Sequence, residues 1–422
     1  MFFFGKFKSD IYDVAFFIKT MITIKPFKAY LPKKDSAQKV STRQINSYSD
    51  EMIHQIMETN QESFLNIILP DFKQEISTKE RFEKINILFN QAIEKGLFIP
   101  SNKECFYIYR QTNPHNSYTG LIAGASTLDY REDRIKKHEH TLEKREKLFT
   151  KYLRLTGFNA EPILLIHEKS QPTEDIINKV VGTTPLHRFT SSSGNTHELW
   201  EINIDTDIST IQGCFAKMNN VYIADGHHRS ASSNLLSLED DKLESTNSVM
   251  ALFMSEENIV IHDFNRVIKN SDNKSEEDII NELKVNFTVL EKSKEILSPS
   301  TKHEFTIYIN SNWYRLKLTQ EFDSKSSTVS QLDSQIITDF ILSPIFDIKD
   351  LKNDTRIDFI PGNKGLDSLK ENVDCGKFDI AIAMYPVGVD EMKKIADEGL
   401  VMPPKSTFIE PKLRSGLTVY KF

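Results

Sequence analysis

Cysteine is scarce. The 422 residues hold only Cys105, Cys214 and Cys375. They are far apart and odd in number, which excludes a disulfide framework, offers no zinc-ligand spacing and points to a reducing compartment. Excess positive charge is also missing. Lys and Arg total 53 against 60 Asp and Glu, a formal net charge of −7. No global basic field therefore draws in nucleic acid or an anionic membrane. Long apolar runs are absent as well, so no segment reads as a membrane span. The aromatic-rich start, "MFFFGKFKSDIYDVAFFIKT", is interrupted by Lys6, Lys8, Asp10 and Asp13 and lacks a small-residue cleavage site. It makes a poor signal peptide. The expectation is a cytoplasmic protein whose residues 1–20 extend upstream of a native start at Met21, with no membrane and no nucleic-acid partner. No internal repeat, low-complexity tract or helix-turn-helix stands out.

What is present is ordinary globular chemistry, 39% hydrophobic and 27% charged, in a chain long enough for two or three domains. "ITIKPFKAYL" (22–31) predicts a first strand. "RFEKINILFNQAIEKG" (81–96) predicts a helix stopped by Gly96. "CFYIYRQ" (105–111) and "YTGLIAGAST" (118–127) predict a hairpin across the turn residues "TNPHNS". "DRIKKHEHTLEKREKLFTKYLRLTG" (133–157) predicts one long charged helix. "EPILLIHE", "THELWEIN", "VYIAD" and "NSVMALFMSE" predict further strands, and a helix is expected from Ser230. Beyond residue 272, "SEEDIINELKVNF" predicts a helix capped by Ser275, and "EFTIYINSNWYRLKL" (304–318) a hairpin. This mixture favours an α+β fold, mixed sheets with flanking helices, over a doubly wound parallel sheet. The polar stretch "KNSDNKSEED" separates two lobes, 21–271 and 272–422.

The densest chemistry lies in "VYIADGHHRSASSNLL", Val221 to Leu236. A strand that runs through a glycine into a helix is a ready anion site, because unpaired N–H groups and the positive end of the helix dipole face the loop. Gly226 allows close backbone approach to a ligand. Arg229 offers a fork for phosphate oxygens, and His227 and His228 can donate to phosphate or move a proton. Asp225 could bind Mg²⁺, orient a histidine or accept a hydroxyl proton. Ser230 could cap the helix or donate to an oxygen. Against this stands the plain reading that Asp225 caps a turn and the histidines satisfy buried backbone. In "IKKHEHT", His138 and His140 would not share a helical face, and Glu139 is the general-base candidate if that face turns inward. "MPPKSTFIEPKLRSG" carries Lys405, Ser406 and Thr407 on a proline-stiffened loop suited to a phosphate or carboxylate, with Lys412 and Arg414 beyond. Arg110 and Arg266, each beside strand residues, are further phosphate candidates.

Taken in order, "ITIKPFKAYLP", "ESFLNIILP", "FYIYRQ", "IKKHEHT", "YIADGHHRSAS", "DFNRVIK" and "MPPKSTFIEPKLRSG" resemble domain-of-unknown-function family 1015 of bacteria and archaea, over about residues 21–422. The chain departs from the family at "VSTRQINSYSD", where a Pro-Tyr-Asp-Val-like segment is usual. The Asp-Gly-His-His-Arg element is similar to the phosphate box of the ParB/sulfiredoxin-like superfamily, above all that of the ParB-like free-serine kinases. This resemblance implies a ParB/sulfiredoxin-like nucleotide-binding core followed by a C-terminal α/β lobe. It implies that Gly226, His227, His228 and Arg229 hold phosphates, with Asp225 beside the transferred group. It also implies Mg²⁺ and ATP or ADP as cofactors, and serine or O-phosphoserine as the small-molecule partner. A homodimer stays open. Two other readings stand beside phosphoryl transfer: a ParB-like nucleotide switch, and a scaffold that binds a phosphorylated ligand without chemistry.

Overall fold

The computed structural model describes residues 21–72, 74–239, 243–322 and 326–422. The expectations for residues 1–20 lie outside these. The chain forms two units. Unit 1 runs to Ile259 and includes Pro411–Phe422, and unit 2 is Val260–Glu410. The cut expected at 271/272 therefore falls inside unit 2. The reason is strand pairing, since Phe264–Ile268 is an inner strand of the sheet of unit 2.

In unit 1 the elements are β1 (Ile24–Lys25), β2 (Ala29–Pro32), α1 (Thr78–Glu94), β3 (Phe98–Pro100), β4 (Phe106–Thr112), β5 (Ser117–Ser126), β6 (Ile135–Lys136), α2 (Glu143–Thr156), β7 (Phe158–Asn159), β8 (Ile163–His167), α3 (Gln171–Val181), β9 (His187–Thr190), β10 (Thr196–Ile202), α4 (Asp205–Phe215), β11 (Val221–Asp225), α5 (His227–Glu239) and β12 (Ser248–Ser255), with a helix over Asp50–Thr59 and shorter helices and turns besides. The main sheet has the order β6-β11-β8-β12-β5-β4-β10-β9, and β1 adds to β5. It is mixed: β11 runs parallel to β6, β12 parallel to β8, and the other pairs are antiparallel. Alternate residues of each strand share a face. Ile163, Leu165, Ala251 and Phe253 thus join one core with Ile208 and Ile211 of α4. A second core gathers Phe64, Phe89, Phe98, Phe158 and Val419 around a small sheet, in which the last strand, Val419–Lys421, lies between β2 and β7.

Two expected elements differ. The first strand is split in two, β1 and β2, which join different sheets. Pro26 lies between them and has no N–H to donate to a ladder. The long helix over 133–157 begins only at Glu143. Asp133 has a left-handed φ of 56°, and Ile135–Lys136 is drawn into the sheet beside β11. The hairpin of β4 and β5, and the strands β8, β10, β11 and β12, form as expected.

Unit 2 is a six-stranded sheet in the order Phe287–Ser293, Asn312–Leu318, Glu304–Ile309, Ile380–Met384, Phe264–Ile268, Ile357–Pro361, antiparallel throughout. Its period-two pattern feeds two cores: Ile380, Ile382 and Met384 enter one, Ala381 and Ala383 the other. The hairpin turn at Asn310-Ser311 puts both residues at positive φ, the geometry of a tight primed turn. The Ser275 hydroxyl accepts from the N–H of Asp278, as expected of a cap. The fold is α+β, with mixed sheets and flanking helices. Among the described residues, no helix is long and apolar enough to cross a membrane.

Candidate functional site

The site forms where β11 meets α5. Val221, Ile223 and their neighbours are buried in the sheet, so the polar residues that follow emerge at its edge. Pairing with β8 slips at Ala224: Ile223 faces Leu165, but Asp225 faces Leu164. Such a bulge re-aims the side chain that follows it. Gly226 then turns the chain at φ 102°. A Cβ there would lie 2.7 Å from Ile163 Cγ2 and 3.3 Å from Arg229 Cζ. Packing against β8 and the guanidinium therefore explains this glycine without a ligand.

Asp225 is gripped by two cations. Arg229 Nη2 donates to Oδ2 at 2.7 Å, and Lys412 Nζ donates to Oδ1 at 3.1 Å. Burial pushes this carboxyl up, but Lys412 and Arg229 outweigh it and hold it below the usual range. Arg229 is itself fully engaged. Its Nη1 meets Glu161 Oε1 at 2.9 Å and donates to the carbonyls of Pro162 and Glu161 at 2.5 and 3.2 Å. Glu161 also accepts from Gln44 at 3.0 Å and Ser415 at 2.9 Å. The network thus joins the 41–48 segment, the start of β8, the loop before α5 and the returning C-terminus, all within unit 1. The guanidinium expected as a phosphate fork is thus in contact with Asp225, Glu161 and two carbonyls. Ser230 neither caps nor faces outward; its hydroxyl donates to the carbonyl of Gly226 at 3.1 Å.

His138 and Glu139 reach the site by sheet register, not on a helix. Ile135 and Lys136 pair in parallel with Val221 and Tyr222, so the residues after β6 run beside the end of β11. His138 and His227 rings meet edge to face, centroids 4.6 Å apart. The N–H of His138 reaches His227 Nε2 at 3.5 Å, which assigns the His227 proton to Nδ1, 3.4 Å from Glu139 Oε2. Burial, reinforced by His138, pushes His227 well below the usual histidine range. Burial pushes His138 down to about 4. His228 is lowered by burial and by the charge of Arg145.

The other expected residues have contacts of their own. Arg110 lies on β4, four strands from β11, roughly 19 Å at the usual strand spacing. It pairs with Glu198 at 2.6 Å on β10 and stacks over Trp200. Lys405, Ser406, Thr407 and Arg266 belong to unit 2. There Lys405 lies over the ring of Phe264, and Ser406 is buried, bonded to Ser334 and to the carbonyl of Pro403. Arg266 is wholly buried, and its Nε and Nη2 have no hydrogen-bond partner among the described residues. Sequence reasoning missed Glu161, which carries no motif signal, and passed over Lys412, visible only as one of the cations beyond the 405–407 loop.

The donor set does not fit a protein-held Mg²⁺ in this arrangement. Both Asp225 oxygens already face cations, and among the described residues no group of three or more His, Cys, Asp or Glu side chains could hold a metal.

No curated protein matches the chain. Among solved structures, a free serine kinase in complex with AMP is 14% identical and aligns over 67% of this chain and 88% of that chain, with a TM-score of 0.34. A mutant free serine kinase in complex with ADP is 14% identical over 67% and 88%, TM-score 0.35. The C-terminally truncated SbnI from Staphylococcus aureus is 11% identical over 68% and 82%, TM-score 0.35. Residues 24–335 match the family described as "Protein of unknown function (DUF1015)", most of the chain, and the protein belongs to that family.

Proposed function

We propose that this protein is a phosphotransferase acting on a small substrate, serine or O-phosphoserine, with a nucleoside di- or triphosphate as the phosphoryl partner in the kinase direction. The observation that carries the reading is Asp225. It is a carboxylate kept ionised by Arg229 and Lys412, at a strand end next to the N-terminus of α5. Phosphoryl transfer needs a fixed proton acceptor and a preorganised positive region, and asks little covalent chemistry of the protein.

In the kinase direction the serine hydroxyl oxygen attacks the phosphorus while its proton passes to Asp225. Oδ1, held by the longer bond to Lys412, is the oxygen suited to exchange that partner for a hydroxyl. The bond from phosphorus to the leaving phosphate oxygen breaks, and the charge on the leaving group is met by the first N–H groups of α5. Arg229, tied to Glu161, keeps the carboxylate in place. His227, neutral and directed at Glu139, shapes the loop floor. In the hydrolytic direction a water takes the place of the serine hydroxyl.

Phosphorus NMR of the purified chain tests this. Serine with ATP or ADP, and phosphoserine alone, are each followed with and without Mg²⁺. Turnover is expected in one direction, and Asp225→Asn is expected to lower it by at least about 100-fold while the far-UV spectrum is kept. Nucleotide binding without turnover by the unaltered protein would replace this reading with that of a nucleotide switch.

A further inference from the structure

Two arginines face each other across a short ribbon in unit 1. Thr42 and Ser415 form an antiparallel bridge, each N–H donating to the other's carbonyl, at 3.0 and 2.9 Å. Antiparallel register then sets Arg43 opposite Arg414. Alternation divides their neighbours between the two faces of the ribbon. Gln44 and Ser415 point to one face, where both donate to Glu161, at 3.0 and 2.9 Å. Arg43 and Arg414 point to the other, the face of Ser41. Arg414 Nε donates to the Ser41 hydroxyl at 3.0 Å, and its Nη2 donates to the Ser41 carbonyl at 2.6 Å. Arg43 Cζ lies 4.3 Å from the centre of the Tyr48 ring, and Arg414 Cζ lies 6.0 Å from the centre of the Phe189 ring.

Like charges directly opposite one another on a ribbon destabilise it. Among the described residues, neither guanidinium has a carboxylate within ion-pair distance to offset the repulsion; their contacts are with Ser41 and the two rings. Glu161, on the opposite face, is engaged with Arg229. Burial pushes Arg414 below its ordinary value, Tyr109 and Tyr48 oppose this, and the charge of Arg43 lowers it further. Arg414 spends Nε and Nη2 on Ser41, which leaves Nη1 for another acceptor. Both arginines are half-buried, so a solute can reach them. The loop that carries Arg43 is held in place by its own bonds. The N–H of Arg43 donates to the Tyr48 hydroxyl at 2.8 Å, and the N–H of Tyr48 donates to the Ile45 carbonyl at 3.1 Å. This loop lies in "VSTRQINSYSD", the segment where the chain departs from its family.

We propose that Arg43 and Arg414 form a binding site for a small dianion, a dicarboxylate or a phosphate, seated between the two guanidiniums. One dianion balances the two charges, and each fork matches the paired oxygens of a carboxylate or a phosphate. The site lies on the face of the ribbon away from Glu161, and it does not depend on the phosphotransferase reading.

The full chain is titrated by calorimetry with succinate and, separately, with inorganic phosphate, at constant ionic strength. The two titrations tell a dicarboxylate from a phosphate, and at least one probe is expected to bind. Removing a charged hydrogen-bond donor from an oxyanion weakens binding by about tenfold or more, so Arg43→Gln is expected to weaken the bound probe to that extent. Arg43→Lys should recover part of the loss. Arg414→Gln should weaken binding likewise, with far-UV spectra checking that both variants fold. Lys217→Gln, which removes an exposed cation beyond α4, should bind as the unaltered protein does. Binding of neither probe by the unaltered chain, or equal binding by Arg43→Gln and the unaltered chain, overturns the proposal.

Discussion

Asp225 of unit 1 is half-buried and Asp333 of unit 2 is buried, and the two carboxyls behave in opposite ways. Asp225 lies between Arg229 and Lys412, which hold it below its ordinary value. Asp333 is 3% exposed, accepts the N–H of His303 at 3.0 Å and, among the described residues, has no cation within ion-pair distance except the ring of His303 at 4.0 Å. Burial pushes it up to about 7. Both are desolvated, so desolvation does not separate them. The charges placed around the carboxylate do. The arginines divide the same way: Arg229 reaches two carboxylates, whereas Arg266, whose hydrogen bonds among the described residues go to a carbonyl oxygen and the Met384 sulfur, is pushed down by burial to about 9. Charge around Asp225 is organised for an ionised carboxylate, whereas the charges of Asp333 and Arg266 are tolerated at a cost.

The sharpest way to break this contrast is Asp333→Asn. A carboxyl whose folded value lies above its unfolded value of 3.8 stabilises at low pH, and that contribution is lost as pH rises from about 4 through 7. The variant should therefore be more stable than the parent by about 4 kcal/mol at pH 8, with the difference closing near pH 4. Asp225, lowered in the fold, has the opposite sign. Its contribution is present above its ordinary value of 3.8 and disappears as pH falls through the folded value. Paired melts at pH 4, 6 and 8 would show whether the two aspartates pull in opposite directions.

Next comes Arg229→Met. It strands Asp225 with Lys412 alone and leaves Glu161 without its cation. Breaking a half-buried pair of this kind should cost about 2–3 kcal/mol of stability, less than a fully buried pair because water screens it. Urea denaturation would measure the loss, and an unchanged midpoint would mean that the grip on Asp225 is weak. The smallest effect is expected for Arg266→Met. An apolar chain of similar length removes two unsatisfied donors, so stability should hold or rise by about 1 kcal/mol. A large loss there would show that the buried guanidinium is needed by the fold.

Much of the site was legible before folding. The crowding of Asp225, Gly226, His227, His228 and Arg229 at a strand–helix junction is a local property, written by alternation, a glycine and a helix start. The hairpins were legible for the same reason: Val, Ile, Tyr and Phe alternate around turn residues. The helix expected over 133–157 misled because its charged, periodic composition favours helix everywhere, whereas the sheet offered Ile135 a buried slot beside Val221. That single pairing moved His138 and Glu139 from a helix face to the side of His227. Arg110 and Glu198 show the reverse, a plausible phosphate contact satisfied by its cross-strand neighbour.

The sequence by itself determined the class of fold, the strand–glycine–helix cradle and the chemistry its residues can offer, because these depend on periods of two and 3.6 and on side-chain type. Only the tertiary structure decided which charges meet. Lys412 lies 187 positions from Asp225 and Glu161 lies 68 from Arg229, and no local pattern links such pairs. The meeting of Arg43 and Arg414 is likewise a product of the bridge between Thr42 and Ser415, residues visible in the chain whose pairing is not.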